Sequence, residues 1–129
     1  MKKSITITAV LTLVIFTISL ITSCGKKTTE PDNMASTVTM TYTPNPATVN
    51  TSISFNFSVM ENMVAVDVTD VTCAMMMGMT ALNPMTVTKT GTGMFMGTAT
   101  FTKSDSCKIT LNYNHHGTMM MQDFMIFVK

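Results

Sequence analysis

Methionine thioethers and a pair of adjacent histidines are the side chains in this sequence that could bind a metal ion. The chain has 16 methionines. Thioether sulfur is a soft donor that favours Cu(I), whereas imidazole also accepts Cu(II). We therefore predict a copper cofactor, with Cu(I) ahead of Cu(II) or Ag(I). The candidate ligands are Met76, Met79, Met94, Met96, His115, His116, Met119, Met120 and Met121.

These residue types also have an ordinary structural interpretation. Methionine fills irregular gaps in hydrophobic cores, and Met75 and Met77 continue the alternation of Cys73, so packing explains them as well as ligation does. Met94 and Met96 are out of phase with the inward positions of their strand. They should point away from the core, and the alternatives are metal binding, a protein partner surface, or incidental exposure and packing under a loop. A histidine pair at the end of a strand is also common as a turn or surface feature.

The three cysteines divide into one candidate lipidation site, Cys24, and one pair. In an exported chain the pair Cys73 and Cys107 would usually oxidise, and we predict a disulfide between them. This bridge would close a loop of about 35 residues and stabilise the fold by roughly 3 to 4 kcal/mol. The alternative is that a cysteine joins methionine as a thiolate ligand to copper.

Residues 1–23 have the features of a bacterial lipoprotein signal peptide. Lys2 and Lys3 precede an uncharged, apolar and threonine-rich run from residue 5 to residue 21, as in export signals. The run ends in Ile-Thr-Ser followed by Cys24, which resembles the lipobox, where the chain is cut before a cysteine that then carries lipid. We therefore expect a lipid anchor on Cys24 and a location in the bacterial cell envelope, with the domain facing the periplasm or exterior. An uncleaved membrane anchor is the alternative, because residues 5–23 are almost long enough to span a bilayer.

Residues 24–36 are polar and have no periodic apolar pattern, which predicts a flexible linker between the lipid and the domain. The remaining residues, 37–129, are enough for one domain with a modest core. The formal net charge of the chain is +1. Nothing in the sequence therefore predicts the basic face that nucleic-acid binding requires.

Apolar residues recur with a period of two along most of residues 37–129. Ile53, Phe55, Phe57 and Val59 alternate with serine and asparagine, which predicts a half-buried strand. The apolar phase changes near Asp70, which favours a bulge or short break there. Turn-forming residues separate the segments. The predicted fold class is therefore all-β, an immunoglobulin-like antiparallel β-sandwich of about seven strands.

If the strands follow one another as in that fold, three loops meet at one end of the sandwich. This end would bring Met94 and Met96 close to His115, His116 and the methionine triplet at 119–121, and it is the preferred metal site. Two further candidates lie elsewhere. They are Met76, which is out of phase with its strand, and Met79, which follows a glycine in a loop.

Three segments resemble the YtkA-like family of small exported domains, which is related to FixH-like proteins. Residues 75–79, Met-Met-Met-Gly-Met, look like the family's methionine-bearing segment after the third strand. Residues 93–97, Gly-Met-Phe-Met-Gly, look like the start of a strand in that family, where an aromatic residue lies between two glycines. Residues 106–111, Ser-Cys-Lys-Ile-Thr-Leu, occupy the position of its tryptophan-bearing strand. The resemblance covers roughly Val38 to Val128.

The sequence departs from the family pattern in two places. Cys107 stands where the tryptophan is usual, and Glu61-Asn62-Met63 replaces an Asp-x-x-Gly-x-Pro turn. The resemblance implies a β-sandwich facing the periplasm or cell exterior. It also implies an association with copper homeostasis or respiratory-oxidase assembly, with no established enzymatic activity and no fixed ligand set.

The sequence has no Cys-x-x-Cys, glycine-rich phosphate loop or His-Glu-x-x-His motif, and we predict that the protein is not an enzyme. We expect a lipid-anchored protein that binds copper for homeostasis, delivery or tolerance. Its partners would be the membrane and a metal-receiving or other envelope protein. The alternative is a non-catalytic immunoglobulin-like interaction or structural module of an envelope or surface complex, with methionines forming an adaptable apolar surface.

Overall fold

The computed structural model describes residues 35–129, and this part of the chain is built from β-strands without a helix. The predicted signal peptide, the lipidation of Cys24 and the linker up to residue 34 lie outside the described residues. Accordingly, the described part contains no helix long and apolar enough to span a membrane. The strands are β1 (Thr37–Thr43), β2 (Ser52–Glu61), β3 (Val64–Ala65), β4 (Thr69–Met77), β5 (Thr80–Ala81), β6 (Val87–Gly91), β7 (Met94–Thr100), β8 (Ser106–His115) and β9 (Thr118–Phe127).

The strands form two antiparallel sheets. In sheet one the order is β1-β2-β7-β6, with β3 also paired to β2, and in sheet two it is β5-β4-β8-β9. Seven of the strands have five or more residues, while β3 and β5 have two each. The predicted all-β antiparallel sandwich is therefore confirmed, and the two short strands β3 and β5 bring its strand number within residues 35–129 to nine rather than about seven.

The alternation of apolar and polar residues explains how the sheets pack. Successive side chains of a strand point to opposite faces, so Phe55 and Phe57 of β2 face inward and are almost completely buried. Ile109 and Leu111 of β8 face inward from the other sheet and are fully buried. Burying a side chain of this size stabilises the fold by about 1.5 to 3 kcal/mol. The core therefore lies between the sheets.

The predicted irregularity near Asp70 is present. The register of β4 against β8 shifts between Thr69 and Thr72, and Asp70 has a positive φ of 52°. The inserted residue moves the apolar positions from even numbers to odd ones. Val68 before the shift and Cys73 after it are consequently both buried.

The predicted disulfide is wrong for this arrangement, because Cys73 and Cys107 are free, buried thiols. They lie on neighbouring strands of sheet two, where Cys73 is opposite Leu111 and Cys107 is opposite Met77. The two cysteines are thus offset by four residues, or about 13 Å along the strands. Cα atoms joined by a disulfide are usually about 4.4 to 6.8 Å apart.

Candidate functional site

Two tight turns at one end of the sandwich position the candidate site. The β8–β9 turn is His116-Gly117, with φ values of 51° and 78°. The β2–β3 turn is Asn62-Met63, with φ values of 49° and 65°. Positive φ at both central residues is the signature of the type I′ hairpin turn, which matches the twist of the flanking strands.

Each turn follows a strand whose last residue points into the sandwich. Glu61 ends β2 and continues the inward phase of Phe57 and Val59, and His115 ends β8 and continues the inward phase of Tyr113. Because β2 and β8 belong to different sheets, the two polar side chains approach each other across the end of the core. His116 lies in the turn itself and is exposed, as expected for a residue out of phase with His115.

The carboxylate of Glu61 lies between the two imidazoles. Its Oε2 atom is 3.6 Å from His115 Nε2 and 3.8 Å from His116 Nε2. One ligand atom from each of the three residues lies within 4.8 Å of the other two. The side chains of His115 and Glu61 are only 5% and 10% exposed, against 75% for His116. The cluster is therefore closed on the core side and open to solvent on the turn side.

Two polar atoms of this cluster are buried without a hydrogen-bond partner among the described residues. They are Oε1 of Glu61 and Nε2 of His115. A buried polar atom in this state costs about 1 to 3 kcal/mol. Such a cost calls for an explanation in a well-packed domain, and a bound ion would remove it by accepting the lone pairs of both groups.

The donor types of Glu61, His115 and His116 fit a transition-metal ion. Two imidazoles and one carboxylate suit divalent ions such as Cu(II) and Zn(II). Donors bound tetrahedrally at about 2.0 to 2.1 Å are about 3.3 Å apart. The carboxylate of Glu61 is close to this distance from each imidazole, at 3.6 and 3.8 Å. Since the three donor atoms as a set lie within 4.8 Å of one another, the exposed His116 side chain must move towards His115 to complete the site. The group could therefore hold a metal ion with one position open for water or another ligand.

The predicted methionine ligands are divided between the outer faces of the two sheets. Met94 and Met96 lie on β7 opposite Ser58 and Asn56 of sheet one, and both are exposed. Met119 and Met121 are exposed on β9 of sheet two. Stacked sheets are about 10 Å apart, with the core between them. One ion cannot bind thioethers from both faces.

The other predicted ligands also lie apart from a shared site. Met120 is partly buried and packs against the core. Met76 is on the outer face of β4, and Met79 is fully exposed in the β4–β5 turn. That turn follows the end of β4 that pairs with Cys107, whereas the histidines follow the opposite end of β8. The structure thus brings together only His115 and His116 from the predicted set, and it adds Glu61.

Sequence reasoning missed Glu61 as a ligand, although a signal for it was present. The residue continues the inward alternation of β2, just as His115 continues that of β8. A carboxylate in an inward position needs a partner. Two such positions at the ends of strands from different sheets could have indicated a polar cluster.

A second concavity contains several of the buried methionines. It is a pocket of about 660 Å³ lined mainly by residues 82–86, which precede β6, and by residues 98–103 at and after the end of β7, and its lining includes Met75, Met77 and Met85. These three side chains are 5 to 9% exposed and belong to the hydrophobic core. Packing therefore accounts for Met75 and Met77.

Comparison with known proteins supports the fold. No family model and no curated protein matches the sequence. A similar solved structure is that of a DUF4785 family protein from Legionella pneumophila, with a TM-score of 0.55 and 12% sequence identity. The match covers 74% of this chain but only 29% of the Legionella chain. At this identity the likeness shows a shared β-rich fold.

Proposed function

We propose that the protein binds a divalent transition-metal ion through Glu61, His115 and His116, with Cu(II) as the preferred ion. The observation that supports this most strongly is the pair of buried polar atoms, Glu61 Oε1 and His115 Nε2, that lack partners among the described residues. Among first-row divalent ions, Cu(II) binds nitrogen and oxygen donors most tightly, followed by ions such as Zn(II).

The proposed copper ion is Cu(II), whereas the methionine content of the sequence predicts Cu(I). Cu(I) prefers soft sulfur donors, and the exposed thioethers lie on opposite faces of the sandwich. The clustered donors are instead two nitrogens and a carboxylate. These favour Cu(II), while Cu(I) remains the expectation for any site built from the methionines alone.

We place this activity in a lipid-anchored protein of the bacterial cell envelope, with lipid on Cys24 and the domain facing the periplasm or exterior. The resemblance to YtkA-like and FixH-like domains supports a role in copper homeostasis, delivery or tolerance. The exposed His116 would let a receiving protein approach the ion and exchange ligands with it. The protein has no catalytic role in this proposal.

A second candidate function is a non-catalytic interaction module. It is favoured by a different observation, the exposed apolar side chains along the outer face of β9. Large exposed apolar surfaces of soluble domains commonly mark protein contacts. This candidate concerns another face of the molecule and is compatible with a metal site at the turns.

The test is a titration of the full-length protein with Cu(II) and with Zn(II) against competing chelators. Glu61→Gln and His115→Gln should each weaken Cu(II) binding by at least about tenfold, because each removes a ligand or its charge. The matched control replaces Met94, Met96, Met119 and Met121 by leucine and should bind Cu(II) within about twofold of the parent.

Spectroscopy adds a readout of the ligands. The electron paramagnetic resonance spectrum of the Cu(II) protein should show coupling to two imidazole nitrogens, and His116→Gln should reduce this to one. If the leucine variant loses binding while Glu61→Gln keeps it, the ion sits on the methionines and the proposed site is wrong. If the parent binds neither ion, the metal function itself is wrong.

A further inference from the structure

Strand β9 forms one edge of sheet two and carries an unusual set of exposed apolar side chains. Edge strands normally avoid this combination, because unpaired backbone groups beside apolar side chains invite another strand to pair. We call the following four residues the β9 stripe: Met119 (61% exposed), Met121 (68%), Met125 (64%) and Phe127 (54%).

The backbone of the β9 stripe up to Met125 also faces the free edge. Val128 N–H donates to Asp105 O, on the β8 side, whereas Lys129 N–H donates to Ala47 O, on the opposite side. Hydrogen-bonding groups alternate in direction along a strand. The even residues of β9 therefore pair with β8. The odd residues from Met119 to Met125 therefore direct their N–H and C=O groups outward. The segment from Ala47 to Val49 covers the edge from Phe127 to Lys129.

The order of residues along this edge is symmetrical. The odd positions read Met119, Met121, Asp123, Met125 and Phe127, with two apolar residues on each side of Asp123. A two-fold axis through Asp123 would place Met121 opposite Met125 of a second copy. Met119 would meet its Phe127 through side chains only, because Ala47 already covers the backbone edge there. Self-complementarity of this kind is what an isologous interface between identical chains requires.

The charge at the centre of the edge is already balanced within one copy. Asp123 binds Lys108 Nζ at 2.7 Å and accepts a hydrogen bond from Thr110 at 2.6 Å. These contacts hold the pKa of Asp123 below its ordinary value, chiefly through the hydrogen bond from Lys108. Two copies would therefore bring together two aspartates and two lysines, with no net charge, so the carboxylates do not oppose pairing as isolated like charges would.

We propose that two copies of the protein associate through antiparallel pairing of their β9 strands about Asp123, joining the two copies of sheet two into one continuous sheet of eight strands. The pairing satisfies the outward N–H and C=O groups of Met121, Asp123 and Met125, with the exposed Gln122 amide giving up its hydrogen bond to Asp123 O. It also sets the β9 stripes side by side, where methionine and aromatic pairs stabilise adjacent strands.

Cysteine cross-linking of the full-length protein tests both the association and its register. Directly opposed residues of a hydrogen-bonded antiparallel pair have Cα atoms about 5.5 Å apart, which is within the range for a disulfide. The Asp123→Cys variant should therefore form a covalent dimer under mild oxidation. Met121→Cys alone should not, because the two copies of residue 121 are offset by four residues, or about 13 Å.

Mixing provides a matched control that keeps Asp123 intact. Met121→Cys and Met125→Cys should each stay monomeric on a denaturing gel, whereas an equimolar mixture should give a covalent dimer of the two different chains. Efficient cross-linking of Met121→Cys with itself would overturn the register. If neither Asp123→Cys nor the mixture cross-links, the pairing proposal is wrong and the edge is free for another partner.

A proline variant separates pairing from folding. Met121→Pro removes an N–H that faces outward, so it leaves the β8–β9 hydrogen bonds intact, as proline on an edge strand can. In the Asp123→Cys background it should abolish the covalent dimer, while the circular dichroism spectrum and thermal unfolding stay close to those of the parent. Retained cross-linking would contradict strand pairing. All samples contain a chelator, so the outcome does not depend on the metal site.

Discussion

Glu61 Oε2 lies 3.6 Å from His115 Nε2, and this contact joins the last residue of β2 in sheet one to the last residue of β8 in sheet two. Both residues precede type I′ turns and both point inward. The polar cluster therefore closes the end of the core between the sheets. An ion held there would act on both sheets at once and couple metal binding to the stability of the sandwich.

Without metal, the buried pair should cost stability. Replacing both residues by apolar ones, Glu61→Met with His115→Phe, should leave the free energy of unfolding of the metal-free protein unchanged or raise it by up to about 2 kcal/mol. The reason is that partnerless buried polar atoms are removed. Urea unfolding of the two proteins in the presence of a chelator measures the difference.

Added metal should make the parent more stable than the apolar double variant. At a free Cu(II) concentration of about 100 times Kd, the parent should gain about 2.7 kcal/mol, while the apolar double variant gains nothing. If the double variant is the less stable of the two without metal, the Glu61–His115 pair has a structural role of its own.

Two glycines with positive φ should differ strongly in their tolerance of alanine. A Cβ at Gly93 would lie 2.5 Å from Val59 O and 2.7 Å from Val66 O, whereas a Cβ at Gly117 would meet nothing within 4 Å. We expect Gly93→Ala to destabilise the protein by about 2 to 4 kcal/mol, because backbone must move. Gly117→Ala should lower the free energy of unfolding by only about 1 kcal/mol, which is the cost of placing an alanine at positive φ. Thermal and urea unfolding of both variants would measure this, and equal losses would contradict the close approach at Gly93.

The buried thiols should make the protein less stable in alkali. Burial, with a smaller contribution from Cys107, raises the pKa of Cys73 from 9.0 to about 11, and burial also raises the pKa of Cys107. Above pH 9 the unfolded chain releases thiol protons that the folded chain keeps. The stability contribution is thus present below pH 9 and lost as the pH rises towards 11.

The measurement is the free energy of unfolding between pH 8 and pH 11 for the parent and for Cys73→Ala. The variant should be less stable at neutral pH but should lose stability less steeply above pH 9. Native Cys73 and Cys107 should also react slowly with a thiol reagent at pH 8, and rapidly once urea is added. If Cys73 and Cys107 contribute no free thiols when the protein is unfolded without a reductant, they form a disulfide, and sheet two is arranged differently.

A single side-chain hydrogen bond should link the start of the domain to β8. The hydroxyls of Ser36 and Tyr113 are 2.7 Å apart, and Tyr113 is 2% exposed. A double-mutant cycle with Ser36→Ala and Tyr113→Phe should give an interaction energy of about 0.5 to 1.5 kcal/mol. An interaction energy close to zero would mean that the segment before β1 does not dock as described.

Local alternation made much of the fold predictable. The inward positions of β2 and β8, the irregularity at Asp70 and the opposite directions of His115 and His116 all follow from a period of two. The pairing of strands does not follow from it. Cys73 and Cys107 are both buried at inward positions, but their separation depends on the register between β4 and β8, and this register prevents the disulfide.

The sequence by itself determined which side chains point inward, because alternation is a property of each strand alone. Its short strands separated by turn residues also indicated an antiparallel sandwich. Only the tertiary structure decided which side chains share a site. It placed the exposed methionines of β7 and β9 on opposite outer faces, and it brought Glu61 to the histidines from the other sheet. Contacts of this kind depend on how sheets stack and where strands end, and these relations involve residues far apart in the chain.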